Sequence, residues 1–533
     1  MSITIFDLEL PDLSTDQAPA FTNAEECQKW LAGISSPNAR QTQAQLLRQI
    51  NLLNRYAMPV DERLKVLELL RTPTYLVYGE CSVRFTARPL PLAPPELAAL
   101  ETCQMLWQAL ETGYLHCLKA YIDELNPVSE TTRRSVAVAG SRALISLLSA
   151  YLDDCRAGML PAPLFWRRLH KIYRGIEKLQ LTEVLFEDTQ RRQDRTSVTA
   201  AYLESILLAA ANPLELRTRQ LAQVAYWAQR WSIMIPLLPL PPADLRTPPL
   251  CIDLVGDESG VFKQTPVAAE NLRWLDLANL RRTIKQCLAA LAQGESPELL
   301  GLGKDCTQPD CETLLKKVYQ DWCRGGRSRS IQGSNGACQL VNGLEAIHYF
   351  LSGEVFREPH QNQAPSPSRN AADDELVLSY TIEDWHEVNE DVTDLFLQRP
   401  LAQAGKRLTK GQLVAVRTSS NDSLQIGKVH WVAVNAKRDT LLASINTMPG
   451  PPIATTLHTP GAGLIKPQYC RGFLLPAIEG LGESASVLTP AGWFQPDHVF
   501  EVQTDSNTML KVRPTRLIER GVNFERSAYE ICN

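Results

Sequence analysis

The apolar residues of this chain change their period near residue 324, and that change constrains its folding more than any other feature of the sequence. A period of 3.6 residues buries one stripe of a helix, whereas a period of two buries one face of a strand. One architecture cannot serve both halves. At 533 residues the chain also exceeds what one ordinary core holds, so several domains are expected.

Before the change the pattern is helical. Leu46, Ile50 and Leu53 recur at helical spacing, and Leu64, Leu67 and Leu70 follow the start signals Pro59 and Asp61. Further helical stretches cover about residues 95–124, 130–153, 164–179 and 197–210, and Leu221, Val224, Ala228 and Trp231 form one more stripe. No repeat period links them, so residues 1–232 are expected to form a helical bundle or irregular array. Residues 233–323 read as a mixed connector. Proline becomes frequent, Leu250 to Leu254 reads as a strand, and Leu277, Leu280, Ile284, Leu288 and Leu291 fall on one helical face before Gly294. A shorter helix is expected over about 309–323.

Beyond Arg324 the runs are short and strand-like: Gln412 to Val416, Gln425 to Val434, Thr440 to Ile445, Arg471 to Leu475, His498 to Val502 and Met509 to Arg513. The expected fold class is therefore α+β and multidomain. A β-barrel is expected over 324–450 and a second small β domain over 451–533. Arg357 to Asp374 is polar and carries Pro359, Pro365 and Pro367, so it is expected as a disordered insertion in the first β domain.

Composition narrows function mainly by exclusion. The net charge of −5 argues against a nucleic-acid polymer or an anionic membrane surface as general partner. The residues from Met1 to Asp7 lack the basic and apolar regions of a leader, and no run reaches the roughly 18 uncharged apolar residues of a membrane span. The thirteen cysteines stand singly, most of them inside apolar helical patterns such as Cys103, Cys117 and Cys287, which suits reduced core thiols and a cytoplasmic setting. Cys306 and Cys311 are the nearest pair, and no second pair follows to complete a zinc site, so no metal is expected.

Catalytic templates are missing. There is no GxSxG, HExxH or GxxxxGK[ST], and no kinase loop set. His170 and His348 sit in amphipathic runs and read as packed histidines, while Asp153-Asp154 and Asp373-Asp374 read as solvated surface. The chain is expected not to be an enzyme and to need no cofactor. The most suggestive local feature is Arg324-Gly325-Gly326-Arg327-Ser328-Arg329, at the boundary between the two halves. Guanidiniums on such a stretch can fork onto phosphates and stack on purines.

With that cluster ahead of short strands, the C-terminal half resembles PilZ domains. These are small barrels preceded by an RxxxR linker and carrying [D/N]xSxxG on an early strand. The chain order resembles the large, FimW-like PilZ receptors with a long helical N-terminal half. Ala211 to Arg217, Arg471 to Pro476 and Leu488 to Gly492 add to the likeness. The resemblance implies a bacterial cyclic-di-GMP effector in signal transduction, controlling surface attachment, motility or biofilm formation. Arg324, Arg327 and Arg329 would clamp the ligand, and Asn389 would support a guanine. Protein partners would meet the helical half.

The sequence departs from that pattern. The arginines are spaced RxxRxR. In Asn389-Glu390-Asp391-Val392-Thr393-Asp394, Asp391 stands at the serine position and Asp394 at the glycine position. A carboxylate about 6 Å from a phosphate costs about 3 kcal/mol at an effective dielectric near about 20, before screening. A near match, Asn421 to Gly427, is one residue too long. The alternative is a PilZ-like scaffold that has lost its nucleotide and acts through protein contacts.

Overall fold

The computed structural model describes all residues except 1–8, 35–37, 124–128, 244–246, 326–335, 357–379, 391–393, 460–467, 496–498, 504–508 and 533, and the side chains of 389, 390, 481 and 503. The insertion expected at 357–374 lies outside the described residues. The chain divides into two compact units. The first comprises Met1–Arg88 with Leu92–Arg329, and the second Pro89–Pro91 with Ser330–Asn533.

The first unit opens with helices α1 (Ala24–Gly33), α2 (Ala39–Leu53), α3 (Val60–Ser82), α4 (Pro94–Asp123), α5 (Glu130–Ala157) and α6 (Phe165–Glu177). A hairpin follows, β1 (Phe186–Asp188) and β2 (Gln193–Thr196), and then α7 (Val198–Ala210) and α8 (Thr218–Trp231). Local chemistry sets the helix starts. Asn23, Asn38, Ser129 and Ser197 each accept a backbone N–H of the first turn, satisfying a donor that has no partner in the helix. α5 stops at Gly158, which takes φ +66°, a conformation that costs a glycine nothing.

α5 is the core helix of this unit. By length and composition it could cross a membrane, but most of its apolar window is buried within the protein. Its Arg142 reaches Asp188 at 2.6 Å and Glu68 at 3.1 Å, and Arg71 adds a second cation to the same pair of carboxylates. Asp188 lies on the β1–β2 hairpin, a strand pair that the helical bundle or array expected for residues 1–232 did not include. Strands of three and four residues are too short to show a period.

Asp153 and Asp154 are also corrected. They are buried, not solvated. Asp153 accepts hydrogen bonds from Tyr78 and from Trp107 Nε1 at 2.9 Å, and Asp154 accepts one from Gln104 at 2.8 Å. Burial lifts the Asp153 carboxyl to about 6, against the lowering effect of Tyr78 and Arg156.

The same unit continues through a four-stranded sheet in the order β3-β6-β4-β5, built from β3 (Leu237–Leu238), β4 (Leu250–Asp253), β5 (Val261–Phe262) and β6 (Leu272–Leu275). The loop after β4 caps α6, with Asp257 accepting from Leu164 N at 2.7 Å and Arg167 N at 3.0 Å. Helices α9 (Ala278–Ala292) and α10 (Asp310–Cys323) complete the unit. Cys306 and Cys311 are joined in a disulfide rather than standing as single thiols, because the chain curls into α10 with Cys311 N donating to Thr307 O. The other described cysteines are free, and all but Cys532 are buried.

The second unit holds two closed six-stranded barrels. The first uses β7 (Gly336–Asn342), β8 (Ile382–Glu390), β9 (Asp394–Pro400), β10 (Leu413–Thr418), β11 (Asn421–Val434) and β12 (Thr440–Thr447), in the order β10-β11-β12-β9-β8-β7. The second uses β13 (Ile453–Thr459), β14 (Gln468–Leu475), β15 (Ser486–Pro490), β16 (Phe500–Gln503), β17 (Met509–Arg520) and β18 (Phe524–Cys532), in the order β13-β14-β15-β18-β17-β16. Closure leaves no open sheet edge. Pro514 is tolerated in β17 because the register shifts there, so the ladder bond it cannot donate is not needed.

Helix α11 (Leu344–Ser352) follows β7 and packs where the barrels meet. One apolar cluster combines its Ala346 and Ile347 with Leu413, Ala415 and Ile426 of the first barrel and Phe473, Leu488 and Phe524 of the second. Asn523 Oδ1 accepts from Leu413 N at 2.9 Å, and Lys428 pairs with Glu519. The fold class is α+β and multidomain: helices in the N-terminal half, two barrels in the C-terminal half.

Candidate functional site

The arginine cluster begins at Arg324, directly after the last residue of α10, and three contacts hold that helix end. Trp322 is fully buried and donates its Nε1 hydrogen to Leu207 O of α7 at 2.7 Å. Its ring meets Trp231 edge-on, and Trp231 stacks on Trp227. Arg324 N closes the last turn onto Gln320 O at 3.1 Å. Gly325 then takes φ +81°, which a side chain would strain, with its α-carbon turned toward Phe262 and Pro248.

Arg324 is exposed, and its guanidinium lies 5.7 Å from the Tyr319 ring centroid. Lys285 of α9 lies 6.0 Å from the same ring. Arg281, one turn earlier on α9, bonds Thr247 and reaches Cys323 O at 3.5 Å. Sequence spacing could not connect residues 281 and 285 to 324, because they meet through the packing of α9 on α10. Arg327 and Arg329 lie outside the described residues.

The second candidate element is the β8–β9 hairpin. Asn389 stands on β8 opposite Phe396, next to a register shift between Glu387 and Asn389. Its side chain and Asp391 lie outside what is described. Asp394 begins β9 and is 5% exposed. It lies 3.5 Å from His430 Nδ1 and accepts a hydrogen bond from Asn446 Nδ2 at 3.4 Å. A glycine at this position would lose both interactions. The near match at Asn421 to Gly427 has a packing explanation. A Cβ on Gly427 would sit 2.7 Å from Ile445 on β12, too close for any side chain. Among the described residues no group of His, Cys, Asp and Glu is arranged to hold a metal ion.

A cationic helix end followed by an arginine-bearing segment can bind a phosphate-containing ligand, with guanidiniums forking onto oxygens and stacking on bases. The Cyclic-di-GMP receptor FimW of Pseudomonas aeruginosa is 24% identical over 552 aligned positions, covering 90% of this chain and 86% of that protein. No solved structure matches the chain. Residues 25–242 match the family described as Cyclic-di-GMP receptor FimW, N-terminal domain, and residues 460–532 match the FimW C-terminal beta-barrel domain, so the helical half and the second barrel are both similar to FimW domains.

Proposed function

We propose that this chain is a cyclic-di-GMP receptor that acts in signal transduction without catalysing a reaction. The observation that carries the reading is the rigid, cationic end of α10, where Arg324 opens the arginine segment of a chain similar to FimW at both ends. Arg324, Arg327 and Arg329 fork onto the two phosphates and stack on guanine. Asn389 supports a guanine edge from the first barrel, which we read as PilZ-like. Asp391 borders the ligand, and Asp394 shapes the hairpin through His430 and Asn446. Ligand on the segment fixes its conformation, and the helical half presents the changed surface to a protein partner in the cytoplasm. Such a shift requires the ligand to prefer one arrangement of the segment. The biological output in this reading is control of surface attachment, motility or biofilm formation.

A second reading is a scaffold that has lost its nucleotide. Asp394 favours it, since a buried carboxylate beside His430 and Asn446 stands where the PilZ pattern has glycine. Arg327→Ala separates the two. One charge-assisted bond contributes about 1.5–3 kcal/mol, so the change should weaken cyclic-di-GMP binding at least about tenfold in an equilibrium titration. Asp391→Ser removes a like charge and should strengthen it. Unchanged affinity in Arg327→Ala would reduce the cluster to a solvated linker. Binding seen only in Asp391→Ser would make the wild type a scaffold.

A further inference from the structure

An open cleft at the end of α3 carries a charge balance that the packing of the first unit does not explain. Arg40 of α2 lines it from one side, and Glu80, Cys81, Val83, Arg84 and Arg88 line it from the other, around a cavity of about 460 Å³. Among the described residues none of the three arginines makes an ion pair, and Glu80 makes none either. Three cations and one carboxylate leave a surplus of two positive charges in the cleft. Burial pushes the Cys81 thiol up, so it adds no charge, and Arg84 and Arg40 both act against that rise. The segment after α3 is tied in place. Ala87 N donates to Arg156 O of α5 at 2.9 Å, and the Arg88 guanidinium donates to Arg84 O at 3.1 Å and Val83 O at 3.3 Å. Those carbonyls account for part of Arg88, whereas the side chains of Arg40 and Arg84 have no partner among the described residues.

We propose that this cleft binds a phosphate monoester carried by a small molecule, with Arg40 and Arg84 forking onto its oxygens and Arg88 adding a further donor. The site lies outside the arginine segment and stands independently of the cyclic-di-GMP reading. Charge selects the monoester. Near neutral pH it carries about −1.5 to −2, which matches the surplus, whereas a carboxylate or one phosphodiester carries a single charge and leaves half of it unbalanced. Arginine suits the task because its planar fork meets two phosphate oxygens at once. The cavity has the size of a small-ligand pocket, and Val83, 63% exposed, offers the rest of the molecule an apolar wall.

The test is calorimetric titration of the full chain with adenosine monophosphate, with adenosine and acetate as ligands that lack the dianion. The monophosphate should bind saturably and the other two should not. Arg40→Ala and Arg84→Ala should each weaken binding about tenfold, as the loss of one charge-assisted bond implies. Glu80→Gln should strengthen it, because the surplus rises. The control is Arg133→Ala, which removes an arginine near the start of α5, at the other end of that helix from Arg156. It should bind as wild type, and the melting temperatures of all variants should agree. A wild type that binds no monophosphate overturns the inference, as does wild-type affinity in both Arg40→Ala and Arg84→Ala, which would put the phosphate elsewhere. Equal losses in Arg133→Ala and Arg84→Ala also overturn it, because the effect would then be one of net charge. Tighter binding of a short phosphoserine peptide than of the monophosphate would overturn the assignment to a small molecule.

Discussion

Arg399 is a fully buried guanidinium inside the first barrel, and its neighbours explain how it is accommodated. It bonds Glu383 at 2.7 Å, lies 5.1 Å from the Trp385 ring centroid and reaches Ala404 O at 3.3 Å. Gly405 leaves room for it, because a Cβ there would coincide with the guanidinium, 1.0 Å from Nη1. Gly405→Ala should therefore expel a buried charge from its partner and cost about 3 kcal/mol or more, read as a lower denaturation midpoint. His116 gives a pH-dependent prediction. Burial pushes its imidazolium down to about 4, with Arg63 and Lys119 adding to the effect. The folded state favours the neutral ring, so the stability it contributes is complete above about 6.5 and lost as pH falls through about 4. The loss should be on the order of 2 kcal/mol after allowance for partial solvent screening, and His116→Gln should flatten that part of the stability profile. These residues show what the sequence conceals. Asp153 and Asp154 read as surface because two adjacent acids are usually solvated, and the partners that bury them, Tyr78, Trp107 and Gln104, come from two other helices.

Helices were readable where an apolar stripe was long. The stripe over Leu277 to Leu291 became α9, and the run over 309–323 became α10. The expected start at Pro59 became the N-cap of α3, whereas the side-chain caps at Ser129 and Ser197 that start α5 and α7 were not singled out in the sequence. The β1–β2 hairpin was not readable, although it places Asp188 against two arginines. That network predicts a large mutational effect. Arg142→Met leaves Asp188, almost fully buried, with the longer contacts to Arg71 at 3.3 Å and to the backbone N–H of Arg191 at 3.4 Å. Urea unfolding should show a loss of about 3–5 kcal/mol, the usual result of removing one member of a buried ion pair. A loss below about 1 kcal/mol would mean that Arg71 alone compensates both carboxylates. The candidate site was readable in the same partial way. Arg324 stood out as part of a local cluster, whereas Tyr319 lay unmarked in the helix expected over 309–323, and Lys285 gave no signal because α9 and α10 meet only in three dimensions.

The change of period near residue 324 carried the molecule's main division. Helices, a β-hairpin and a four-stranded sheet precede it and two closed barrels follow it, and the barrels share a core around α11. That shared core was not readable, since each barrel's strands show only that one face is buried and not against what. The proposed function makes this molecule a cyclic-di-GMP receptor whose arginine segment holds the ligand. Titration of the intact chain with cyclic-di-GMP, repeated on an Arg324→Ala, Arg327→Ala, Arg329→Ala triple variant, tests it most directly. The wild type should bind saturably and the variant should lose at least about a hundredfold in affinity, since three charge-assisted contacts are removed. Wild-type affinity in the triple variant, or no binding by the wild type at millimolar nucleotide, would contradict it.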